Sequence, residues 1–250
     1  MKKDRRYTLS HQLLHKYLDA AMINASDLLI EATTFLSQKR YARAYFLACA
    51  SLEETGKAYA AFSAMGRNLK NPGVAEAVKE SFEDHKSKII SAMICILKKN
   101  IISKETAEEF TKIALDLEAG REKSMYVDIN DKHEVTEPSK LVRPVAALNA
   151  VRLARDCLES TGNYIKENKP EKFTASQDKF MTLRKSRLYK MSNTKDFWEF
   201  CIHQLQKKNF DIADIFTKYH DEYYCKNKLF EHAARKAPKV SNESLQRTRS

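Results

Sequence analysis

Residues 48–62 read ACASLEETGKAYAAF, and this stretch decides how the chain folds. Apolar and small residues run almost unbroken from Ala44 to Leu52 and resume at Ala58. Such a segment is a helix covered by protein on most sides. Yet Glu53, Glu54, Gly56 and Lys57 sit at its midpoint. An α-helix turns about 100° per residue. Lys57 lies four residues after Glu53 and three after Glu54, so the three charges share one sector. A solvated ion pair on an outer face is the ordinary explanation. The flanking turns, however, offer no polar face for these charges to continue. The stretch therefore predicts a buried or cleft-lining cluster. Gly56 costs a helix about 1 kcal/mol relative to alanine, so its presence here points to another backbone close by.

Helical periodicity extends outward from this segment. One helix is expected over Leu9–Gln38, on Leu14, Leu18, Ala21, Ala25, Leu28 and Leu29. The quoted stretch lies in a second, Tyr41–Arg67, closed by the break Asn71-Pro72-Gly73. A third spans Val74–Lys99. Thr106 and Glu109 form a capping-box pattern for a fourth, Ala107–Met125. The polar run DINDKHEVTEPSK (128–140) reads as a loop. A fifth helix runs from Pro144, suited to a first turn, to Asn168. No segment alternates over strand length and no repeat is visible. The expected fold is an all-α, up-and-down helical bundle over residues 9–168, preceded by an arm (1–8). A C-terminal helical extension (169–236) follows, with two or three helices from residue 176 onward, and then a disordered basic tail (237–250). Five glycines and five prolines in 250 residues agree with long helices and few turns.

The net charge of +11 suits an anionic partner such as RNA, DNA or an acidic protein. Cys49, Cys95, Cys157, Cys201 and Cys225 are scattered singly, which fits reduced core thiols and a cytoplasmic protein rather than a disulfide frame or zinc site. No apolar signal region follows the charged N-terminus. The apolar run IISAMICIL (89–97) is too short to cross a bilayer, so no membrane partner is expected.

Two further helices repeat the anomaly of the first stretch. In FEDHKSKII (82–90), Val78, Phe82, Ile89, Ala92 and Ile96 make the apolar stripe. His85 falls inside that stripe and Lys88 borders it. A lone histidine in this position is ordinarily a satisfied core residue. In LEAGREKSMYVD (117–128), Phe110, Ile113, Ala114 and Leu117 point inward, and Arg121 follows Leu117 by four. Gly120 either ends that helix or marks a place where another chain packs closely. Three consecutive helices thus place titratable groups on faces that should be apolar. Buried unpaired charge is expensive, so these groups are expected to pair with one another around a cleft.

The segments NASDLLIEATTFLSQKRYARAYFLACASLEETGKAY (24–59), DHKSK (84–88) and REKSMYVD (121–128) resemble the AbiV family of abortive-infection proteins, within the HEPN superfamily. The likeness spans residues 9–168, and the EE-x-G-K block and YVD segment are its most specific parts. The resemblance implies a helical bundle, commonly a homodimer, acting in bacterial defence against phage. Many HEPN proteins are metal-independent ribonucleases whose sites use an arginine followed four to six residues later by a histidine, assembled across a dimer. Here Arg121-x4-Tyr126 has tyrosine in the histidine's place, and Arg6-x4-His11 matches only formally, ahead of the first helix core. His85 is the available substitute.

The candidate ribonuclease site is therefore His85 for proton transfer and Arg121, Lys57 and Lys88 for charge on phosphate oxygens. Glu54 or Glu53 would hold Lys57 or His85. Tyr126 would bind phosphate or donate a hydrogen bond, and Asp128 completes the YVD segment. RNA is the expected substrate, with no cofactor and no metal. A phage-encoded protein is the expected activator, because a defence nuclease must be restrained in uninfected cells. Two acids and a histidine could instead hold Mg²⁺ or Mn²⁺, but Phe82 occupies the place three before His85 where di-iron bundles carry glutamate. The other class of reading is a non-catalytic module that binds RNA or a phage protein. The aromatic, basic C-terminal segment reads first as core plus solvated lysines and second as a surface that stacks bases.

Overall fold

The computed structural model describes residues 7–98 and 104–224, the side chains of 104–108, 111, 223 and 224 excepted. The fold is an all-α helical bundle. Two compact units divide the chain, Met1–Phe173 and Thr174–Ser250.

In the first unit, α1 (His11–Ser37) and α2 (Tyr41–Ala64) form an antiparallel pair. Ser10 caps α1, its hydroxyl accepting from the Leu13 N–H at 3.1 Å. The turn between the helices is made at Lys39, whose φ of 58° is left-handed. Across the pair, the Ser51 hydroxyl donates to the Ala25 carbonyl at 2.7 Å. Fifteen of the 24 residues of α2 are buried, which makes it the central helix. Its alanines and those of α7 (Pro144–Glu167) let helices approach closely around Leu52, Ile89, Met93 and Val151.

The third helix expected from the sequence is two helices, α3 (Pro72–Ser81) and α4 (His85–Lys98). The interruption is chemical. The Asp84 carboxylate accepts from the Ser87 N–H at 2.7 Å, and the Asp84 carbonyl accepts from the Lys88 N–H at 3.0 Å. Asp84 is thus a start signal for a new helix. Asn71 caps α3 in the same way, accepting from Gly73 at 2.9 Å. Next, α5 runs from Lys104 to Lys123, so Thr106 lies within the helix and is not its cap, contrary to the capping-box expectation.

The run expected to be a loop without strands carries a small antiparallel hairpin, β1 (Asp128–Ile129) with β2 (Val135–Thr136). Its turn is organised by Asn130, whose side-chain oxygen accepts from the Lys132 and Glu134 N–H groups, both at 3.0 Å. The four-residue α6 (Pro138–Leu141) precedes α7. The first unit continues five residues beyond Asn168. The Phe173 N–H bonds the Gly66 carbonyl at 3.2 Å, and the Arg67 guanidinium stands 3.7 Å from the Phe173 ring centroid.

The second unit holds α8 (Ala175–Thr182), α9 (Lys185–Ser192), α10 (Lys195–Gln206) and α11 (Ile212–Tyr219), followed by a π-helical turn, His220–Tyr224. Its core is Met191, Phe197, Cys201, Ile215 and Tyr219, with Phe200 and Phe216 packed against them. Among the described residues, four α-helices therefore stand where two or three were expected. The expectations for residues 225–236, for Cys225, for the tail 237–250 and for Arg6 and the start of the arm lie outside the described residues. Among the described residues, no helix is long and apolar enough to cross a membrane.

Candidate functional site

The site is built on one buried acid. Glu53, on α2, is 5% exposed. It follows the buried Cys49 by four residues and precedes Gly56 by three, so it points inward, where it meets α4 and α5. Its Oε2 receives Lys88 Nζ at 2.7 Å and His85 Nδ1 at 2.8 Å. Arg121 Nε stands 2.8 Å from its Oε1. That last contact is an ion pair without hydrogen-bond alignment, so neither Oε1 nor Nε has a hydrogen-bond partner. The carboxylate also lies at the N-terminal turn of α4, where the helix dipole favours an anion.

Gly56 makes this meeting possible. A Cβ at that position would lie 1.8 Å from the Lys88 carbonyl oxygen. The backbones of α2 and α4 therefore touch one turn from Glu53. Because Asp84 starts α4 at His85, both His85 and Lys88 fall in its first turn, three residues apart and on one face. Lys88 lies 3.3 Å from His85 Nδ1. With Glu53 ionised, Nδ1 carries the proton and donates to Oε2, an assignment made from the network.

Arg121 is held from the other side. A Cβ on Gly120 would meet the Tyr45 hydroxyl at 2.5 Å, so the phenol packs directly against α5. Tyr45 donates to the Asp116 carbonyl at 3.4 Å. The buried Ser124 hydroxyl donates to the Arg121 carbonyl at 2.6 Å and secures the helix end. Burial pushes the Tyr45 phenol well above its usual range and the Cys49 thiol up to about 12. Both are neutral walls of the site rather than reactive groups. Gly120 does not end its helix, and both glycines make their close contacts within the chain.

Access divides the group. The Lys88 side chain is 6% exposed and Glu53 7%, but His85 is 47% exposed and Arg121 23%. Lys88 does not border the core; it is in it. With a neutral imidazole the group carries one acid and two bases, a net positive charge. It presents an imidazole and a guanidinium to solvent, and the His85 Nε2 edge takes no part in the Glu53 contacts.

Of the eight candidate residues, Glu53, His85, Lys88 and Arg121 converge. Lys57 pairs with Glu54 as a separate couple. Glu54 faces α1, and its charge adds to the burial that raises the Tyr17 phenol to about 12. Tyr126 is 58% exposed and Asp128 is exposed in β1. Neither shares a hydrogen bond or ion pair with the Glu53 group among the described residues. Tyr45 and Asp84 escaped the sequence reading. Asp84-x-x-Ser87 was a usable capping signal, whereas nothing local marks Tyr45. Among the described residues, no three His, Cys, Asp or Glu side chains are grouped to hold a metal ion.

No curated protein and no solved structure matches the chain. The AbiV family model of the HEPN group matches residues 13–159, which takes in most of α1, all of α2–α6, most of α7 and all four residues of the Glu53 group. That is more than half of the chain. The protein thus belongs to the AbiV family of HEPN proteins, a membership that points to an abortive-infection, HEPN-type function.

Proposed function

We propose that this protein is an anti-phage abortive-infection effector that cleaves RNA without a metal at the Glu53 group. The observation that carries the reading is a single buried carboxylate gripping His85 Nδ1 and Arg121 while both side chains keep solvent access. Orienting one imidazole nitrogen on a carboxylate leaves the other free for proton transfer. A guanidinium beside it stabilises charge on phosphate oxygens, by two bonds where the fork is free. Every cation that an acidic metal site would need to lose is already seated on Glu53, which supports the metal-free form.

In this chemistry His85 Nε2 takes the proton of the ribose 2′-OH. The 2′-oxygen attacks phosphorus, the bond to the 5′-oxygen breaks, and that oxygen leaves with a proton. The products are a 2′,3′-cyclic phosphate and a 5′-hydroxyl. In-line displacement wants base and acid on opposite sides, and each chain supplies one such histidine. A homodimer that faces two Glu53 groups supplies both. A phage-encoded protein that brings the pair together accounts for restraint in uninfected cells.

The test is twofold. Purified protein, with EDTA, is incubated with total cellular RNA and the new ends are analysed. Phage plating efficiency is then compared for wild type, Arg121→Ala and His85→Gln at equal soluble levels. Loss of protection in both variants, with cyclic-phosphate ends in wild type alone, is expected. Full protection by His85→Gln removes His85 from the chemistry and leaves a binding module.

A further inference from the structure

The second unit lies beyond the family match, and its aromatic residues sort into two sets. Phe180, Phe197, Phe200, Phe216 and Tyr219 pack on one another, with ring centroids 4.5–5.5 Å apart. They are core. Tyr189, Trp198 and Phe210 are 70%, 55% and 71% exposed.

Trp198, the only tryptophan of the chain, is exposed and yet fixed. Its indole N–H donates to the carbonyl of Ser192, the last residue of α9, at 2.7 Å. Its inner edge meets Phe197 at 5.4 Å and 73°. The polar atom of the side chain is thus satisfied internally, and what remains to solvent is apolar ring. Tyr189 lies on the same turn of α9, its carbonyl accepting from the Ser192 hydroxyl at 3.1 Å. Ile202 and Leu205 continue the face of Trp198 along α10, at 56% and 40% exposure.

Cations accompany these rings. The described residues 174–224 hold 9 Lys and Arg against 7 Asp and Glu, a net charge of +2. Its acids are largely engaged. Asp214 takes Lys218, Ser176 and Asn209; Glu199 takes Lys195; Asp211 caps α11. Arg184, Lys190, Lys207 and Lys208 are exposed and make no ion pair among the described residues. Arg184 stands at the start of α9, Lys190 follows Tyr189 within it, and Lys207 and Lys208 precede Phe210.

From this juxtaposition we infer that the C-terminal unit is a platform for single-stranded RNA, on which bases stack against Trp198 and Tyr189 while α9 and the end of α10 contact phosphates. Fixed ring faces interleaved with unpaired cations are what sequence-tolerant single-strand binding uses. The platform uses none of the residues of the Glu53 group, and its binding does not depend on cleavage there.

The test uses full-length protein and a labelled 2′-O-methyl oligouridylate of about 12 nucleotides, within the span of single-strand sites. It has no 2′-OH to react. Because Trp198 is the sole tryptophan, its emission reports this surface alone. The oligonucleotide is expected to quench it saturably, in step with anisotropy. Trp198→Ala should weaken binding about fivefold to a hundredfold, the range for one base–aromatic stack. Trp198→Phe, which keeps a ring, should stay close to wild type and guards against misfolding of the alanine variant. Lys207→Ala with Lys208→Ala should lower the salt slope by about 1.4, at roughly 0.7 per phosphate contact. Arg121→Ala should leave the quenching intact, so failure of the cleavage reading and failure of this one are distinct results. Four results overturn the inference: no RNA binding, binding with unchanged emission, equal quenching by polyphosphate, or binding of an acidic amphipathic peptide in place of RNA.

Discussion

Gly56→Ala tests whether α2 and α4 meet as closely as the site requires. The added methyl would lie 1.8 Å from the Lys88 carbonyl oxygen, 2.6 Å from its carbon and 3.0 Å from its Cα. The obstacle is backbone, so no side-chain rotation relieves it. Reaching even 3.0 Å from the oxygen needs α4 to move about 1.2 Å, the difference between 3.0 and 1.8 Å. Alanine returns about 1 kcal/mol of helix propensity. Overpacking a filled core costs about 1–3 kcal/mol, occasionally more, and a backbone clash belongs at the upper end. The net loss is roughly 2 kcal/mol, or about 4–8 °C in Tm for a chain of this size. Gly162→Ala is the control. It lies in α7, and the nearest atom to its added Cβ is the Met22 methyl at 3.5 Å, so alanine should raise Tm by about 2 °C. Both variants are melted side by side by circular dichroism. Equal or higher Tm for Gly56→Ala would show that the two backbones do not touch, and the Glu53 geometry would fall with that contact.

Glu53→Ala strands Lys88 in the core and should cost about 3–5 kcal/mol in urea unfolding. Adding Lys88→Met should recover part of it, and a loss under about 1 kcal/mol for the single variant would mean that the pair is solvated. Cys49, raised to about 12 by burial, and Cys157, raised further, should resist disulfide-exchange reagents at pH 8 until the protein unfolds; prompt labelling of either in the native protein refutes their burial. The Asp214 carboxyl is held below its usual value of 3.8 by hydrogen bonds led by that of Lys218. A lowered folded value stabilises above the unfolded one and is lost as pH falls through the folded one. Acidification below about pH 4 should therefore loosen α11, read by Trp198 emission, and Asp214→Asn should flatten that response.

The sequence made the helices legible where proline, glycine or a long apolar stripe marks them. The Asn71-Pro72 start and the Pro144 start stand within two residues of expectation. Gly56 announced a close backbone correctly. The interruption at Phe82–Asp84 was hidden because Phe82 and Ile89 are both buried and seven residues apart, the spacing of two turns in an unbroken helix. The capping box failed for the opposite reason: the Thr106 pattern is present, but α5 begins two residues earlier. A hairpin with two residues per strand is too short to produce alternation, and its order comes from the Asn130 turn instead.

Choosing between Glu53 and Glu54 was the hardest step to read from sequence, and its resolution assigns roles within the site. The two acids differ by 100° on one helix, and both lie within reach of Lys57. Only Glu53 shares the sector of Cys49 and Gly56, the sector on which α4 closes. Lys57 therefore stays with Glu54, and Glu53 must take its cations from other helices. It takes two, Lys88 and Arg121, together with the His85 imidazole; Lys88 is sealed in, and His85 and Arg121 remain open. The sealed pair fixes the bundle, because separating it leaves a charge in the core. In the proposed chemistry the open pair meets RNA. Substitutions at Glu53, Lys88 or Arg121, whose buried Nε stands on Glu53, will confound stability with activity, while His85→Gln changes a half-exposed side chain and should leave Tm within about 2 °C, the shift of a surface change below 0.5 kcal/mol. If His85→Gln abolished protection while lowering Tm as far as Glu53→Ala does, the loss would be structural, and His85 would have no claim to the proton transfer.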